Sequence, residues 1–525
     1  MRDAVSSKIL VLGIDGMDET VVERLMGSVP TLAGFMETAA NLDLVSTFPP
    51  DSDTAWASAF TGLNPARHGV VQFVDPLEKV KRIQTKLADN ASLRGNSFWD
   101  VAGDAGKRVC VLFPHMGYPL WAVNGVMTAR SPIADDVQVY PPSLATTLRG
   151  GFISHPPRGF PGRRNHQIRR FIDQLRESTL RDAEMGLELL RVEDWDLFFV
   201  YWSTLDAVQH YFWDHHDEDA PDFQPNRPYR DVIRAFYRLF DDVIGWFLDE
   251  ISGDTGVIIM SDHGHGMRPQ KLFNVNELLR RHGFLVPARP TGPRGEHLKE
   301  RVRRSVVGLI SRHRLGRVAG RAMRMFPTVT RSFTKPSSVD WDKTTAYATD
   351  MSGIKAYSYG GIHVRKDRTQ SAEYESARDR IIDLIQGGCV TEDGECLLNF
   401  IARREEVYEG PHLSAYPDIV LELKYGWGIG QLIGNTLFGR SPVTSLMPGS
   451  HRRETPILLI RARGRESAHR RRVHMMDIAP TVLDMLGLGH VEGFEGKSIY
   501  RSDSKSGVSR DKVLLAGRSV GGRST

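Results

Sequence analysis

Short apolar runs recur along the chain and stop abruptly at polar side chains able to bind metal. Lys8 to Ile14 ends at Asp15-Gly16, and Gly256 to Met260 breaks into Ser261-Asp262-His263-Gly264-His265-Gly266. Runs of the same continuous character lie at Arg108 to Phe113, Asp196 to Trp202 and Ile457 to Ile460. Such runs, bounded by turn residues, are the pattern of strands buried on both faces. Between them, apolar positions at a period near 3.6 predict helices at Thr20 to Ala40, Arg170 to Val192 and Tyr229 to Ile251. Strands alternating with helices predict an α/β fold, a three-layer helix-sheet-helix sandwich. In open sheets of this kind ligands gather beyond the carboxyl ends of the strands. The residues that end the runs are therefore the first candidates for chemistry.

One segment breaks the alternation. Between about Phe284 and Ser338 the chain carries Arg301, Arg303, Arg304, Arg312, Arg314, Arg317, Arg321 and Arg324 among apolar residues at helical spacing. This reads as a helical insertion with a solvated basic face. A sharper alternative is a lid, or a peripheral docking surface for a membrane or polyanion through residues 295–330. Beyond it, strand-like runs after Asp340-Trp341 and a helix at Ser371 to Gln386 suggest a small cap subdomain. The expected organisation is a core from 8 to 283, the basic insertion at 284–338, the cap at 339–430, the rest of the core at 431–500, and a loosely held tail at 502–525 with one strand-like run at Val513 to Leu515.

Composition narrows the function classes. With 525 residues, 41% hydrophobic and 25% charged, the chain can bury a large core as a globular protein. No stretch approaches the roughly 20 apolar residues of a membrane span. Met1 to Ser7 is too short and polar for a signal peptide, so a cytoplasmic location is expected. A net charge of +4 is too small to argue for a nucleic-acid partner. Cys110 reads as a core residue, while Cys389 and Cys396 flank a hairpin-like Glu392-Asp393-Gly394 and are expected as free thiols.

Asp262 and His263 offer a carboxylate oxygen and an imidazole nitrogen, a donor pair suited to zinc or manganese. Asp15 ends the first strand in the same way. Asp206 and His210, just past the run Asp196 to Trp202, stand at i and i+4, so a helical turn would put them on one face about 6 Å apart at Cβ. In Phe48 to Ser58, hydroxyls and carboxylates at Ser52, Asp53 and Thr54 precede a helix-forming run. Each could serve as an N-cap. The same position attracts a phosphoryl group, because free amides and the helix dipole favour anions, and a metal-bound serine there could attack phosphorus.

These pieces together resemble the alkaline phosphatase superfamily, in its branch of type I phosphodiesterases and nucleotide pyrophosphatases, and more closely its predicted phosphohydrolase or phosphomutase group. The matching segments are Gly13 to Met17, Phe48 to Gly69, Asp206 to His210, Ser261 to Gly264, Gly449 to His451 and Asp477 to Gly487. The resemblance implies an alkaline phosphatase-like fold and two divalent ions, zinc or manganese. One ion would be held by Asp206, His210 and His451, the other by Asp15, Asp262, His263 and the oxygen of Ser52, the implied catalytic nucleophile. From the residues alone, His363 and His412 compete with His451, and the Gly-Ser-His-Arg setting favours the latter. His68 and His265 fall on no ligand position of the family pattern and are expected to be structural or supporting.

The implied activity is hydrolysis of a phosphate monoester or diester of a small phosphorylated substrate through a phosphoseryl intermediate. The alternative is a phosphotransferase or phosphomutase using the same serine, and a third reading is a non-catalytic docking protein. Two departures from the pattern bear on specificity. Phe73 stands where nucleotide pyrophosphatases place an asparagine for a phosphoryl oxygen, leaving Gln72, Lys355, Arg453 and the basic insertion as candidates for that task. Asp51 and Asp53 flank Ser52, where their charges would repel a phosphate unless paired.

Overall fold

The computed structural model describes residues 8–71, 90–132, 134–144, 155–157, 159, 161, 164–218, 227–288, 339–349, 356–365, 371–434, 436–441, 447–462 and 471–501. The basic segment from residue 289 to 338, the tail with its strand-like run, and Gln72, Phe73 and Lys355 lie outside the described residues.

The five predicted strands lie in one eight-stranded sheet, with three that the apolar runs did not announce. In chain order its members are β1 (Ile9–Ile14), β2 (Ala40–Asn41), β3 (Val109–Leu112), β4 (Gly125–Arg130), β5 (Val137–Tyr140), β6 (Leu197–Trp202), β7 (Gly256–Met260) and, after an excursion of the chain, β10 (Leu458–Arg461). Their spatial order is β2-β10-β7-β1-β6-β3-β4-β5. Five consecutive strands, β7, β1, β6, β3 and β4, are parallel, while β5, β10 and β2 each run antiparallel to a neighbour.

Both faces of the sheet are covered, which is why its strands read as unbroken apolar runs. On β1, Leu10, Leu12 and Ile14 point into one core while Ile9 and Val11 point into another. The first core is closed by helices α1 (Glu19–Leu25), α2 (Pro30–Thr38), α5 (Asn165–Val192), α6 (Thr204–His216) and α7 (Val232–Asp249). The second is closed by α3 (Ser52–Thr61), α4 (Phe98–Asp104) and α8 (Ile478–Met485). Three layers result, as expected.

Two local departures have simple causes. The helix expected over Thr20 to Ala40 is two helices, because Pro30 opens α2 and cannot extend α1, and Ala40 already belongs to β2. The strands β4 and β5 escape the apolar-run pattern because they lie at the sheet's margin, where Arg130 and Gln138 are tolerated.

A second compact unit occupies the excursion from Arg268 to Pro448. It holds a four-stranded antiparallel sheet in the order Ala346–Thr349, Tyr359–Val364, Ile419–Leu423, Leu398–Arg403, with the helix Ser371–Gly388 over its core. A three-stranded sheet places Lys271–Asn274 between Trp427–Gly430 and Phe438–Arg440. That pairing draws residues on both sides of the expected cap segment into the same unit. Val390 and Cys396 pair across the turn at Gly394, and the three cysteines are free thiols. No helix among the described residues is long and apolar enough to cross a membrane.

Candidate metal centre

Adjacent central strands β7, β1 and β6 deliver the candidate side chains to one end of the sheet. Asp15 follows β1 directly, Asp262 and His263 follow β7, and β6 leads into α6 with Asp206 in its first turn and His210 one turn later. Ser52 opens α3, where Asp51 rather than Ser52 is the cap: its carboxylate accepts from the Asp53 amide at 3.1 Å. His451 arrives on β9 (Gly449–Arg452), paired antiparallel with β8 (Gly264–Met267) immediately after His263. All seven predicted residues lie in the first compact unit.

They converge closely. Asp15, Asp262 and His263 bring ligand atoms within 4.8 Å of one another, as do Asp206, His263 and His451, and likewise Asp206, His210 and His265. The Ser52 hydroxyl lies 3.2 Å from His263 Nε2. His210 Nε2 and His451 Nε2 stand 3.4 and 3.5 Å from Asp206 Oδ1. Gly449 makes the approach of β9 possible, since a Cβ there would sit 2.3 Å from the Gln209 carbonyl oxygen and 2.5 Å from His265 Nε2.

Backbone carbonyls fix the direction of the imidazoles. His210 Nδ1 donates to the Gly449 carbonyl at 3.0 Å, His263 Nδ1 to the Gly264 carbonyl at 3.0 Å, and His451 Nδ1 to the Pro50 carbonyl at 2.7 Å. A carbonyl can only accept, so each Nδ1 carries a proton, and the neutral form of each ring turns its Nε2 lone pair inward. The Nε2 atoms of His210 and His451 then face each other at 2.9 Å. Two lone pairs at that distance repel unless a proton or a metal ion is shared between them.

The carboxylates tell the same story. Asp15 and Asp262 are buried, and among the described residues Asp15 Oδ1 and Asp262 Oδ2 have no hydrogen-bond partner. Burial, and then the neighbouring Asp262 charge, push the Asp15 pKa up to about 6, and burial pushes Asp262 up to about 7. Burial also lowers the pKa of His263, keeping its ring neutral. Buried acids, bare oxygens and inward lone pairs fit a divalent cation.

Supporting residues that no motif announced surround this set. Tyr201 donates to Asp15 Oδ2 at 2.5 Å, and Trp56 Nε1 donates to the same oxygen at 3.3 Å. His115, in the loop after β3, reaches Tyr201 with Nδ1 at 3.0 Å and Asp53 Oδ1 with Nε2 at 2.8 Å. Tyr201 has spent its one proton on Asp15 and Asp53 can only accept, so both nitrogens of His115 donate and the ring is an imidazolium. Burial opposes that charge, but the hydrogen bond donated to Asp53 and the charges of Asp53, Asp15 and Asp262 outweigh it and hold the His115 pKa above its usual value. The carboxylate beside Ser52 is thereby paired. His68, expected to be structural, bonds Ser58 Oγ and the Val70 amide. His363 and His412 lie in the second unit and join none of the ligand groups among the described residues.

The sequence matches the family model of type I phosphodiesterases and nucleotide pyrophosphatases over residues 9–451. The chain belongs to that family. It is accordingly a hydrolase, in a family typically dependent on divalent metal ions. A search of curated protein sequences finds no match. Among solved structures, this phosphodiesterase-family chain is similar to murine ectonucleotide pyrophosphatase/phosphodiesterase 5, an inactive variant in complex with AMP, at 13% identity and a TM-score of 0.47, covering 92% of this chain and 95% of that one. It is similar to the human protein at 13% identity and a TM-score of 0.49, covering 93% and 97%. Phosphonoacetate hydrolase from Sinorhizobium meliloti 1021, in complex with phosphonoformate, gives 15% identity and a TM-score of 0.49 over 91% and 95%.

Proposed function

We propose that this family member is a two-metal phosphoric-ester hydrolase that works through a phosphoserine at Ser52. Asp206, His210 and His451 would hold one divalent ion, and Asp15, Asp262, His263 and the Ser52 oxygen the other. The observation that carries this reading is the pair of inward Nε2 lone pairs of His210 and His451, 2.9 Å apart beside Asp206. When bound, the ions supply Lewis-acid stabilisation of phosphoryl oxygens and lower the pKa of the hydroxyl groups that attack.

The protein's own groups account for the remaining steps. Ser52 Oγ, at the first position of α3, faces a phosphoryl group drawn to the positive end of that helix. Its hydroxyl proton passes to solvent water. An Oγ–P bond forms as the ester P–O bond breaks, and the leaving alkoxide takes up a proton from water. Water then attacks the phosphoserine, and the P–Oγ bond breaks to return Ser52 and release phosphate or its monoester. Imidazolium His115 offsets the Asp53 charge, so an anionic substrate is not repelled from the serine. Small phosphorylated compounds are the substrate class this arrangement suits. The nitrogen-rich donors favour zinc and the oxygen-rich ones admit manganese.

Elemental analysis of the purified protein should find about two ions per chain. Hydrolysis of p-nitrophenyl phosphate and bis-p-nitrophenyl phosphate should fall by about a thousandfold or more in Ser52→Ala and in Asp262→Ala. The better of the two substrates assigns monoesterase or diesterase activity. Full activity in metal-loaded Ser52→Ala would exclude the covalent route.

A further inference from the structure

Resting on the metal assignment proposed above, we infer that His265 is a fourth protein ligand of the ion at Asp206, so that this site offers three histidines and one carboxylate, selects zinc-like ions and would take a substrate oxygen as a fifth donor. The family pattern puts no ligand at this position. The geometry here does.

His265 Nδ1 stands 3.5 Å from Asp206 Oδ1, beside the 3.4 and 3.5 Å of His210 and His451 from the same oxygen. Ligands about 2.0–2.1 Å from a tetrahedral ion lie about 3.3–3.4 Å from one another, so these separations are those of a shared ion. Direct ion pairing explains them less well, since His210 and His451 are already held by their own carbonyl hydrogen bonds and none of the three contacts is as short as a good N–H···O bond.

The fold holds His265 in place from several sides. In the β8–β9 ribbon it is directly opposite His451, and directly opposed residues of an antiparallel pair project from the same face. One candidate ligand thus carries the other to the same spot. The backbone amide of His265 donates at 2.9 Å to Asp18 Oδ2, a fully buried carboxylate that also caps α1. Its ring lies with centroid 4.8 Å from that of His210 and 5.2 Å from that of Trp213, and it is inaccessible to solvent. His265 Nε2 fills the space left by the missing side chain of Gly449. A ring so enclosed has one orientation, and it turns Nδ1 to Asp206.

The chemistry gives the site a selectivity. Three imidazoles and one carboxylate favour zinc, cobalt or nickel over manganese and magnesium. The neighbouring set of Asp15, Asp262, Ser52 and His263 has more oxygen than nitrogen and discriminates less. The two positions should therefore differ in which ion they keep.

Metal-free protein, wild type and His265→Gln, is titrated with Co2+ followed by its visible absorption, and with Zn2+ by calorimetry. Wild type should take up two ions. His265→Gln should weaken one of them by about tenfold or more, change the cobalt absorption of that ion, and leave the other in place. A variant titration superimposable on wild type overturns the inference while leaving the two-metal reading intact. Wild-type protein that takes up neither ion overturns both. Because a buried substitution can disturb folding, wild-type protein labelled with 15N-histidine provides the second measurement. On addition of Zn2+, the His265 Nδ1 resonance should move to the range of a metal-bound nitrogen. If it keeps its metal-free position once both ions are bound, His265 is not a ligand, whatever the variant does.

Discussion

Asp53 illustrates how a single charge is made compatible with a phosphate site. Its carboxylate is next to Ser52, yet His115 spans from it to Tyr201 and so to Asp15. Removing the imidazolium in His115→Ala should leave that charge uncompensated and lower kcat/KM by about tenfold, mainly through KM, because a like charge in a partly desolvated site costs more than about 1 kcal/mol. Adding Asp53→Asn to the same protein should restore much of the loss in steady-state assays. The acids themselves predict a pH effect. With no ion bound, Asp15 and Asp262 keep protons to about pH 6 and 7, whereas an unfolded carboxylate has lost its proton above about pH 4. The folded metal-free protein therefore binds more protons than the unfolded chain in this window, and these groups make it less stable as pH rises from about 4 to 7. A bound cation removes that burden. Scanning calorimetry should show the gap in melting temperature between loaded and chelated protein widening from pH 5 to pH 7.5. Of these residues, Asp15, Asp262 and His263 could be singled out because they end apolar runs and Asp206 and His210 because of their spacing, whereas the roles of Ser52 and His451 came from the family resemblance. His115 and His265 were not legible, since their partners come from loops and strands far away in the chain.

At the level of elements, the site depends on close approach between a helix and a ribbon. Gly449 lies against the Gln209 carbonyl of α6, and a methyl group there would press on backbone rather than on a yielding side chain. Gly449→Ala should cost about 1–3 kcal/mol, measured by thermal unfolding, and should weaken zinc binding even though no ligand is altered. The apolar runs announced β1, β3, β6, β7 and β10 because both faces of the central strands are buried, so the order of strands and helices was readable. Marginal strands β4 and β5 carry no such signature. The β8–β9 pairing was invisible for a different reason: four of its residues are Gly264, Gly266, Gly449 and Ser450, which have little hydrophobic pattern to read.

For the molecule as a whole, the candidate ligands belong to the first compact unit, and metal binding should contribute to the stability of that unit. An ion at a thousand times its dissociation constant adds about 4 kcal/mol per site. Chelation should therefore lower the first unit's unfolding temperature far more than the second's, a difference that hydrogen exchange can resolve region by region. The layered fold was expected from alternating strands and helices. The limits of the second unit were harder to see, since they follow from Lys271–Asn274 joining strands that lie far along the chain.

That second unit leaves and re-enters the first at neighbouring residues, because Met267 and Gly449 face each other across the ribbon. Topologically the ribbon is a hairpin whose turn has been exchanged for an entire folded body. Such a junction acts as a socket: what is plugged into it can be lengthened, replaced or lost over evolutionary time without re-threading the strands that present His263, His265 and His451. Lineages built on this chassis could diverge in the plugged-in body while the chemistry beneath stays unchanged, and a short Asn-Gly turn grafted between Met267 and Gly449 is the minimal form the socket would accept.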